Sequence, residues 1–246
     1  MTSEPAPLDR STLVDDVARF GWYHTLDLGG DVITKGMFDH RPVLHRYLVP
    51  EDLSGLRCLD VGTMDGFWAF EMERRGAAEV IALDLEDPER LDWPASLRDG
   101  TVKTLDVEKG LRFGLAKHAL DSRVERILRS VYELDTDLGL FDFVFCGDLF
   151  VHLKDPITAA ENIRKVCRGS ATIANPVTRF RFGRRRALAE LDGIDHFQWW
   201  ALSEESLARM MLAAGFSSVD RGKRFELPAT SGGPWRGLRG VVRGHV

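Results

Sequence analysis

Residues 59–66, Leu59-Asp60-Val61-Gly62-Thr63-Met64-Asp65-Gly66, constrain this chain more than any other stretch. The apolar run Leu56 to Val61 reads as a strand that delivers a carboxylate and two glycines. A helical pattern follows at once, with Phe67, Trp68, Phe70 and Met72 on its apolar side and Gly76 as its stop. Strand, tight turn and helix N-terminus are thus compressed into a few residues. Glycines there let backbone approach a ligand closely, and the free amides of a first helical turn favour an electron-rich group.

A second acid, Asp84, ends the next apolar run, Val80 to Leu83. At the tip of the second strand of a doubly wound sheet, an acid is placed to accept hydrogen bonds from ribose hydroxyls. Together the two features point to an adenosine-containing cofactor. The turn decides which one. Dinucleotide folds use G-x-G-x-x-G around a pyrophosphate; here the pattern is D-x-G-x-x-D-G, with Met64 where the middle glycine would stand. A carboxylate at Asp60 repels a pyrophosphate but suits a ligand carrying an ammonium.

Strands and helices alternate from this point, which predicts a parallel sheet covered on both faces. Strands are expected near 56–61, 79–84, 101–105, 124–131, 141–146, 170–175, 218–225 and 238–243. Helices are expected near 65–76, 111–120, 156–168 and 203–215, the last two opened by Asp155-Pro156 and by Ser203-Glu204-Glu205. Ahead of the sheet, Leu8 to Phe20 reads as a helix and Arg41 to Tyr47 as a short one. Residues 22–39 show no clear period and suit a lid or substrate wall. Residues 176–200 interrupt the alternation with an arginine-rich run and then Phe197-Gln198-Trp199-Trp200. They leave the sheet at its ligand-binding edge. The expected organisation is an N-terminal extension and lid over 1–50 and a cofactor-binding domain over 51–246.

Composition bounds the partners. A net charge of −5 argues against broad nonspecific nucleic-acid binding, without excluding a local basic patch. Cys58, Cys146 and Cys167 are widely separated and read as reduced thiols of a cytoplasmic protein. No cluster of His, Asp and Glu has metal-ligand spacing, so no metal is expected. No apolar run approaches the ~20 residues needed to span a membrane.

With these motifs in view, the chain resembles the class I S-adenosylmethionine (SAM) methyltransferases. Its D-V-G-T-M-D-G loop is similar to the family's D-x-G-x-G-x-G, and Asp84 matches the family's ribose-binding acid. The segment 141–147 resembles the family's fourth strand, and Val151 to Pro156 its lead into the next helix. The resemblance covers roughly residues 50–225. It implies a Rossmann-like, doubly wound, mostly parallel seven-stranded sheet. It further implies that SAM contacts Asp60, Gly62, Thr63, Asp65, Gly66, Asp84, Leu85, Val131, Tyr132 and Cys146.

Acceptor chemistry is less constrained. His152 lies within a family motif, and it is either a general base on an acceptor hydroxyl or a structural hydrogen-bonder. Asp148 either binds the acceptor or faces solvent. Trp22, His24, Phe38, Arg179, His196 and Trp199 fall in the two segments assigned to the acceptor pocket. The run Arg179 to Arg186 reads as a solvated loop, a site for a small anion, or an RNA contact. The N-terminal strip and the aromatic pair before Ser203 resemble the tRNA wobble-uridine methyl/carboxymethyl transferase subgroup. There Met37 stands where a lysine would meet a carboxylated cofactor, which favours plain SAM. Three functions remain open: O-methylation of a small molecule such as a sugar or secondary metabolite, tRNA modification, and a catalytically silent SAM-binding partner protein.

Overall fold

The computed structural model describes residues 10–96, 109–179, 186–191, 198–227, 230 and 237–246. The helix α1 (Arg10–Arg19) leads into two short strands, β1 (Trp22–His24) and β2 (Gly36–Phe38), followed by a 3-10 turn at Arg41–Arg46. The alternating part runs β3 (Arg57–Val61), α2 (Phe67–Arg74), β4 (Glu79–Asp84), α3 (Lys109–Ala119), β5 (Glu125–Leu128), β6 (Phe141–Gly147), α4 (Pro156–Val166) and β7 (Cys167–Pro176). A hairpin of β8 (Ala189–Leu191) and β9 (Trp200–Leu202) follows. Then come α5 (Glu204–Ala213), β10 (Ser218–Arg221), β11 (Phe225–Leu227) and β12 (Gly237–His245).

Seven strands form one sheet in the order β10-β12-β7-β6-β3-β4-β5, with the short β11 also paired to β12. The β3, β4, β5, β6 and β7 pairings are parallel, and β12 enters antiparallel between β7 and β10. The chain runs outward from β3 in one direction and resumes beside it with β6, so the crevice at the C-terminal ends of β3 and β6 is the topological switch point. Burial explains the near-continuous apolar strands. Cys58, Phe143 and Phe145 enter one core layer with α2; the alternate residues Leu59, Val61, Val144 and Cys146 enter the opposite layer with α4 and α5.

Local chemistry sets the helix ends. Asp155 accepts a hydrogen bond from Thr158 N at 3.0 Å ahead of Pro156, and Ser203 caps α5 through Ser206 N. Several element boundaries differ from expectation, among them the end of the strand expected over 124–131, which stops at Leu128 before a 3-10 turn at Val131–Glu133. The α4 helix stops at Val166 because Cys167 already pairs with Phe141 in the sheet. The region read as one strand over 218–225 is two, since Arg221 faces Val242 while Phe225 faces Arg239: four residues on one strand span three on the other, which breaks the ladder. The strand expected at 101–105 lies outside the described residues.

The strip at 22–39 is more regular than its sequence suggested. The β1 and β2 strands pair in parallel, Trp22 opposite Gly36 and His24 opposite Phe38. A Cβ at residue 36 would collide with the His24–Thr25 backbone, so only glycine allows this approach. Thr34 staples the strip: its hydroxyl donates to His24 O and accepts from Leu26 N, both at 2.8 Å. Leu13, Val17, Trp22, Leu26 and Val32 share one buried cluster with Phe67, Trp68 and Phe145. The Trp22 indole donates to Val17 O at 2.9 Å. Trp22, expected as part of a mobile lid, is therefore a core residue with one edge on the ligand crevice.

Gly66 offers a test of the turn. Its φ is +94°, and an added Cβ would sit 2.9 Å from Phe113 and closer still to Phe70. Gly66→Ala should lower unfolding free energy by about 2–4 kcal/mol through backbone strain and overpacking. Urea denaturation reads this out; an unchanged midpoint would show that the loop relaxes.

Candidate functional site

The turn after β3 is built from positive-φ residues, Gly62 at +81°, Met64 at +53° and Gly66 at +94°. Gly62 N donates to Leu83 O at 2.8 Å and Met64 N donates to Asp84 Oδ2 at 2.9 Å. Asp84 is thereby locked to the turn. Its Oδ1 accepts from Leu85 N at 2.7 Å and from Lys109 Nζ at 2.8 Å. Lys109 lies at the start of α3, and nothing in the sequence singled it out.

A cavity of about 600 Å³ opens at this edge of the sheet, in the range of ordinary small-molecule sites. Its middle is lined by Gly62, Met64, Asp84 and Lys109. One group of wall residues comprises Leu85, Glu86, Pro88 and Arg90 to Trp93 together with Ser130, Val131 and Tyr132. Asp92 ties that wall together: its carboxylate accepts from the Tyr132 hydroxyl at 2.6 Å and Lys154 N at 2.8 Å, and its carbonyl from the Trp199 indole at 2.5 Å. The second group, at the Tyr23 end, comprises Tyr23, His24, His40, Tyr47, Trp68, Gly147 and Asp148.

Two carboxylates organise that second end. Asp65 is fully buried; its Oδ2 accepts from Tyr23 N at 2.9 Å and His24 N at 3.0 Å, and its Oδ1 is paired with His24 Nδ1. Asp148 follows β6 with φ +52°, and its Oδ2 accepts from Arg239 Nε at 3.1 Å, Arg239 Nη2 at 2.9 Å and the Tyr23 hydroxyl at 3.4 Å. Burial, reinforced by Asp148, raises the Tyr23 hydroxyl far above its ordinary range, so it stays protonated. His40 Nδ1 meets the Tyr47 hydroxyl at 2.6 Å. Burial, then the nearby His24 and Arg239, holds His40 well below its usual value, so its ring is neutral. Behind the turn, burial pushes the Asp60 carboxyl up to about 7, and its Oδ2 has no hydrogen-bond partner among the described residues.

Of the residues named from sequence, Gly62, Asp84, Leu85, Val131, Tyr132, Trp22, His24, Asp148 and His152 line the cavity. Asp60, Thr63, Asp65, Gly66 and Cys146 form the buried layer behind it. Phe38 packs under Tyr23 and Arg239, with a ring-centroid distance of 5.3 Å to Tyr23 and the Arg239 guanidinium 5.5 Å away. Trp199 braces the Asp92 wall from outside rather than facing the cavity. Arg179 is a correction: it is exposed and paired with Glu226 at 2.8 Å, because the chain leaving β7 runs along β11 there. His196 and Arg181 to Arg185 lie outside the described residues. The sequence reading missed Tyr23, His40, Tyr47, Lys109 and Arg239, which reach the site by long-range packing. Periodicity could not have found them; the buried pairing of β1 with β2 was the one signal, in Gly36.

Burial raises all three cysteines, Cys58 to about 12, Cys167 to about 11 and Cys146 well above the ordinary thiol range, so none is a thiolate nucleophile at neutral pH. Among the described residues no three His, Cys, Asp or Glu side chains gather as a metal site, and no helix is long and apolar enough to cross a membrane.

A turn that pins a strand-ending acid beside a cavity at the sheet's switch point is the frame of a Rossmann-like methyltransferase domain. Residues 39–220 match the model of a family described as a methyltransferase domain, and the chain belongs to that family; SAM is its cofactor. Solved structures agree on the fold. The N-terminal domain of EvdMO1, determined in the presence of SAH and D-fucose, aligns with 99% of this chain and 100% of that domain at 16% identity and a TM-score of 0.69. Aligned with the longer EvdMO1 structure, the chain spans 50% of that protein's length. An S-adenosylmethionine-dependent methyltransferase from Mesorhizobium loti aligns with 84% of this chain and 97% of its own, at 14% identity and a TM-score of 0.53. In sequence, a tRNA U34 carboxymethyltransferase from Campylobacter hominis is 28% identical over 113 residues, 46% of this chain and 33% of that protein.

Asp65 sets the next expectation. Asp65→Ala strips the acceptor from two buried amides and the His24 ring, so unfolding free energy should fall by about 2–4 kcal/mol. The same denaturation experiment, followed by tryptophan fluorescence from Trp22 and Trp68, checks it. A loss below ~0.5 kcal/mol would mean that the strip is held by its apolar contacts alone.

Proposed function

We propose that the protein transfers the methyl group of SAM to a hydroxyl of a small neutral acceptor, a sugar or comparable secondary metabolite, with His24 as general base. The observation that carries this reading is the His24–Asp65 pair at the wall of the cavity. A carboxylate on Nδ1 fixes the tautomer and leaves Nε2 as the basic nitrogen, the arrangement that activates hydroxyls in acyl-transfer enzymes. Asp148 is the weaker candidate because Arg239 already neutralises it. His152 lines the same cavity and is the alternative base.

The residues present fit the cofactor. Gly62 gives the close backbone approach, and Asp84 is positioned for the ribose hydroxyls. Leu85 and Val131 flank the space for adenine. Asp60 lies in the buried layer behind the cavity, from which its unpaired Oδ2 would reach the methionine ammonium through water. Bound SAM supplies a methyl on a sulfonium that is already activated, so the protein's tasks are to align the acceptor, exclude water and take its proton. The fold-level likeness to a domain solved with D-fucose supports a sugar acceptor. The tRNA reading rests on the U34 carboxymethyltransferase similarity. A cavity of this volume is of the size that small acceptors fill, which favours the small acceptor.

Labelled SAM offered with a panel of neutral sugars and glycosides, and in parallel with bulk tRNA, decides between them. Label is expected in a sugar. Label in tRNA, with binding that weakens steeply with salt, would overturn the reading. His24→Asn should lower kcat by about 10²–10⁴-fold while SAH affinity stays within a few-fold by calorimetry.

Asp84→Ala should weaken SAH binding by about 1.5–3 kcal/mol, the scale of hydrogen bonds to a charged group. Asp60 adds a pH dependence of known sign. Its carboxylate attracts an ammonium only when ionised, so the contribution is present above about 7 and lost as pH falls through it. SAH affinity should therefore drop between pH 8 and 6, with proton release on binding near pH 7. Asp60→Asn should bind weakly at pH 8 and show a flat profile.

A further inference from the structure

Among the described residues, two buried polar atoms at the Tyr23 end of the cavity have no hydrogen-bond partner. His40 is 2% exposed, its Nδ1 is engaged with Tyr47, and its Nε2 is unpaired. Asp148 gives its Oδ2 to Arg239 and Tyr23, and its Oδ1 is buried without a donor. Both residues line the cavity. Leaving such atoms unmade carries their full desolvation penalty, and folded proteins keep few of them.

These atoms belong to one closed ring of side chains. His40 and His24 have ring centroids 5.1 Å apart, His24 and Tyr23 4.7 Å, and Tyr23 reaches Asp148. Arg239 joins Asp148 to Phe38, whose ring lies 6.4 Å from His40. The ring thus places the base assigned above and the unpaired His40 nitrogen on neighbouring walls of one small space. The pairing of Asp148 with Arg239 leaves little net charge there.

We propose that His40 and Asp148 form an acceptor subsite for a second hydroxyl next to the one that is methylated, so that the protein selects neutral acceptors carrying vicinal hydroxyls, as on a pyranose ring. This rests on the preceding reading that the acceptor occupies the Tyr23 end. With the protonated Tyr47 hydroxyl donating to Nδ1, His40 carries its proton on Nε2, and one ligand hydroxyl accepts from that N–H while donating to Asp148 Oδ1. A phosphate or carboxylate has no proton for Asp148 and meets its charge. An ammonium finds Arg239 already in place. His40 is held neutral by burial and adds no cationic pull for an anion. The Tyr47 and Trp68 rings, 4.4 Å apart, give apolar surface for the carbon skeleton.

Sugar binding to the SAH-loaded protein tests this, whichever acceptor is the natural one. The probes are D-fucose, D-galactose and D-glucose, each with its monodeoxy analogues, followed by calorimetry or saturation-transfer NMR. For the tightest parent sugar, removal of the hydroxyl that meets the subsite should weaken binding roughly tenfold or more. In His40→Phe and Asp148→Asn that discrimination should shrink to under about threefold, with SAH affinity retained. Discrimination unchanged in both variants would overturn the subsite, as would a uronic acid or sugar phosphate binding more tightly than its neutral parent, or no binding by any of these sugars. Should the variants fail to fold, the wild-type series still decides: equal affinity across the monodeoxy analogues refutes the proposal. The two readings fail separately. Full turnover in His24→Asn with discrimination lost in His40→Phe removes the base and keeps the subsite.

Discussion

The buried carboxylate of Asp65 is the interaction on which the site depends. It belongs to the turn after β3, yet its hydrogen-bond partners among the described residues come from the N-terminal strip: Tyr23 N, His24 N and the His24 ring. A fully buried carboxylate is costly unless several donors satisfy it, and these three donors lie on one short strand. The pairing is therefore strongly directional. It fixes where β1 crosses the turn, which way the His24 ring faces, and, through the β1–β2 ladder, where Phe38 and His40 stand. Gly36 is required for the same reason, since the ladder closes only if nothing projects from residue 36 into the His24 carbonyl.

Asp148 closes the opposite wall from the far end of the chain. Arg239 comes from β12, and β12 stands beside β7 in the sheet rather than near β6 in sequence. The positive φ of Asp148 turns its side chain back towards β12. The acceptor end is thus bounded by two acids held by different means. One is satisfied by amides and a histidine, the other by a guanidinium, and their partners lie 42 and 91 residues away. Such an end is rigid, which is what alignment of an acceptor with an activated methyl requires.

The sequence discloses the cofactor half because that half is local. Strand, glycines, acid and helix occupy one run of residues, and Asp84 follows one strand later, so period and turn chemistry place them without a fold in hand. The alternating strands and helices were legible on the same grounds. The acceptor half was not. His24 and Asp148 were noticed, but His40 stands in no periodic segment, and Tyr47 and Arg239 look like ordinary core and strand residues. Their roles exist only after β1, β2 and β12 have been brought to the crevice. The strip at 22–39, which suits a lid or substrate wall by sequence, does wall the cavity through Trp22, Tyr23 and His24, with the Trp22 indole hydrogen-bonded inside the main core.

This division bears on what membership of the family means for the chain. The family match spans 39–220 and takes in the turn, Asp84, His40 and Asp148, whereas Tyr23, His24 and Arg239 lie outside it on either side. The proposed base itself and the guanidinium that neutralises Asp148 are therefore supplied by flanking segments. A shared SAM-binding frame can keep its local turn chemistry while the flanks change what is presented at the far end of the cavity. The coupling runs through Asp65, which the frame supplies and the flank satisfies. Replacing the strip leaves that carboxylate buried without donors unless the new strip brings its own. On the proposed reading, acceptor choice is tied to one geometric requirement, the satisfaction of a single buried acid, rather than to free variation of a surface loop.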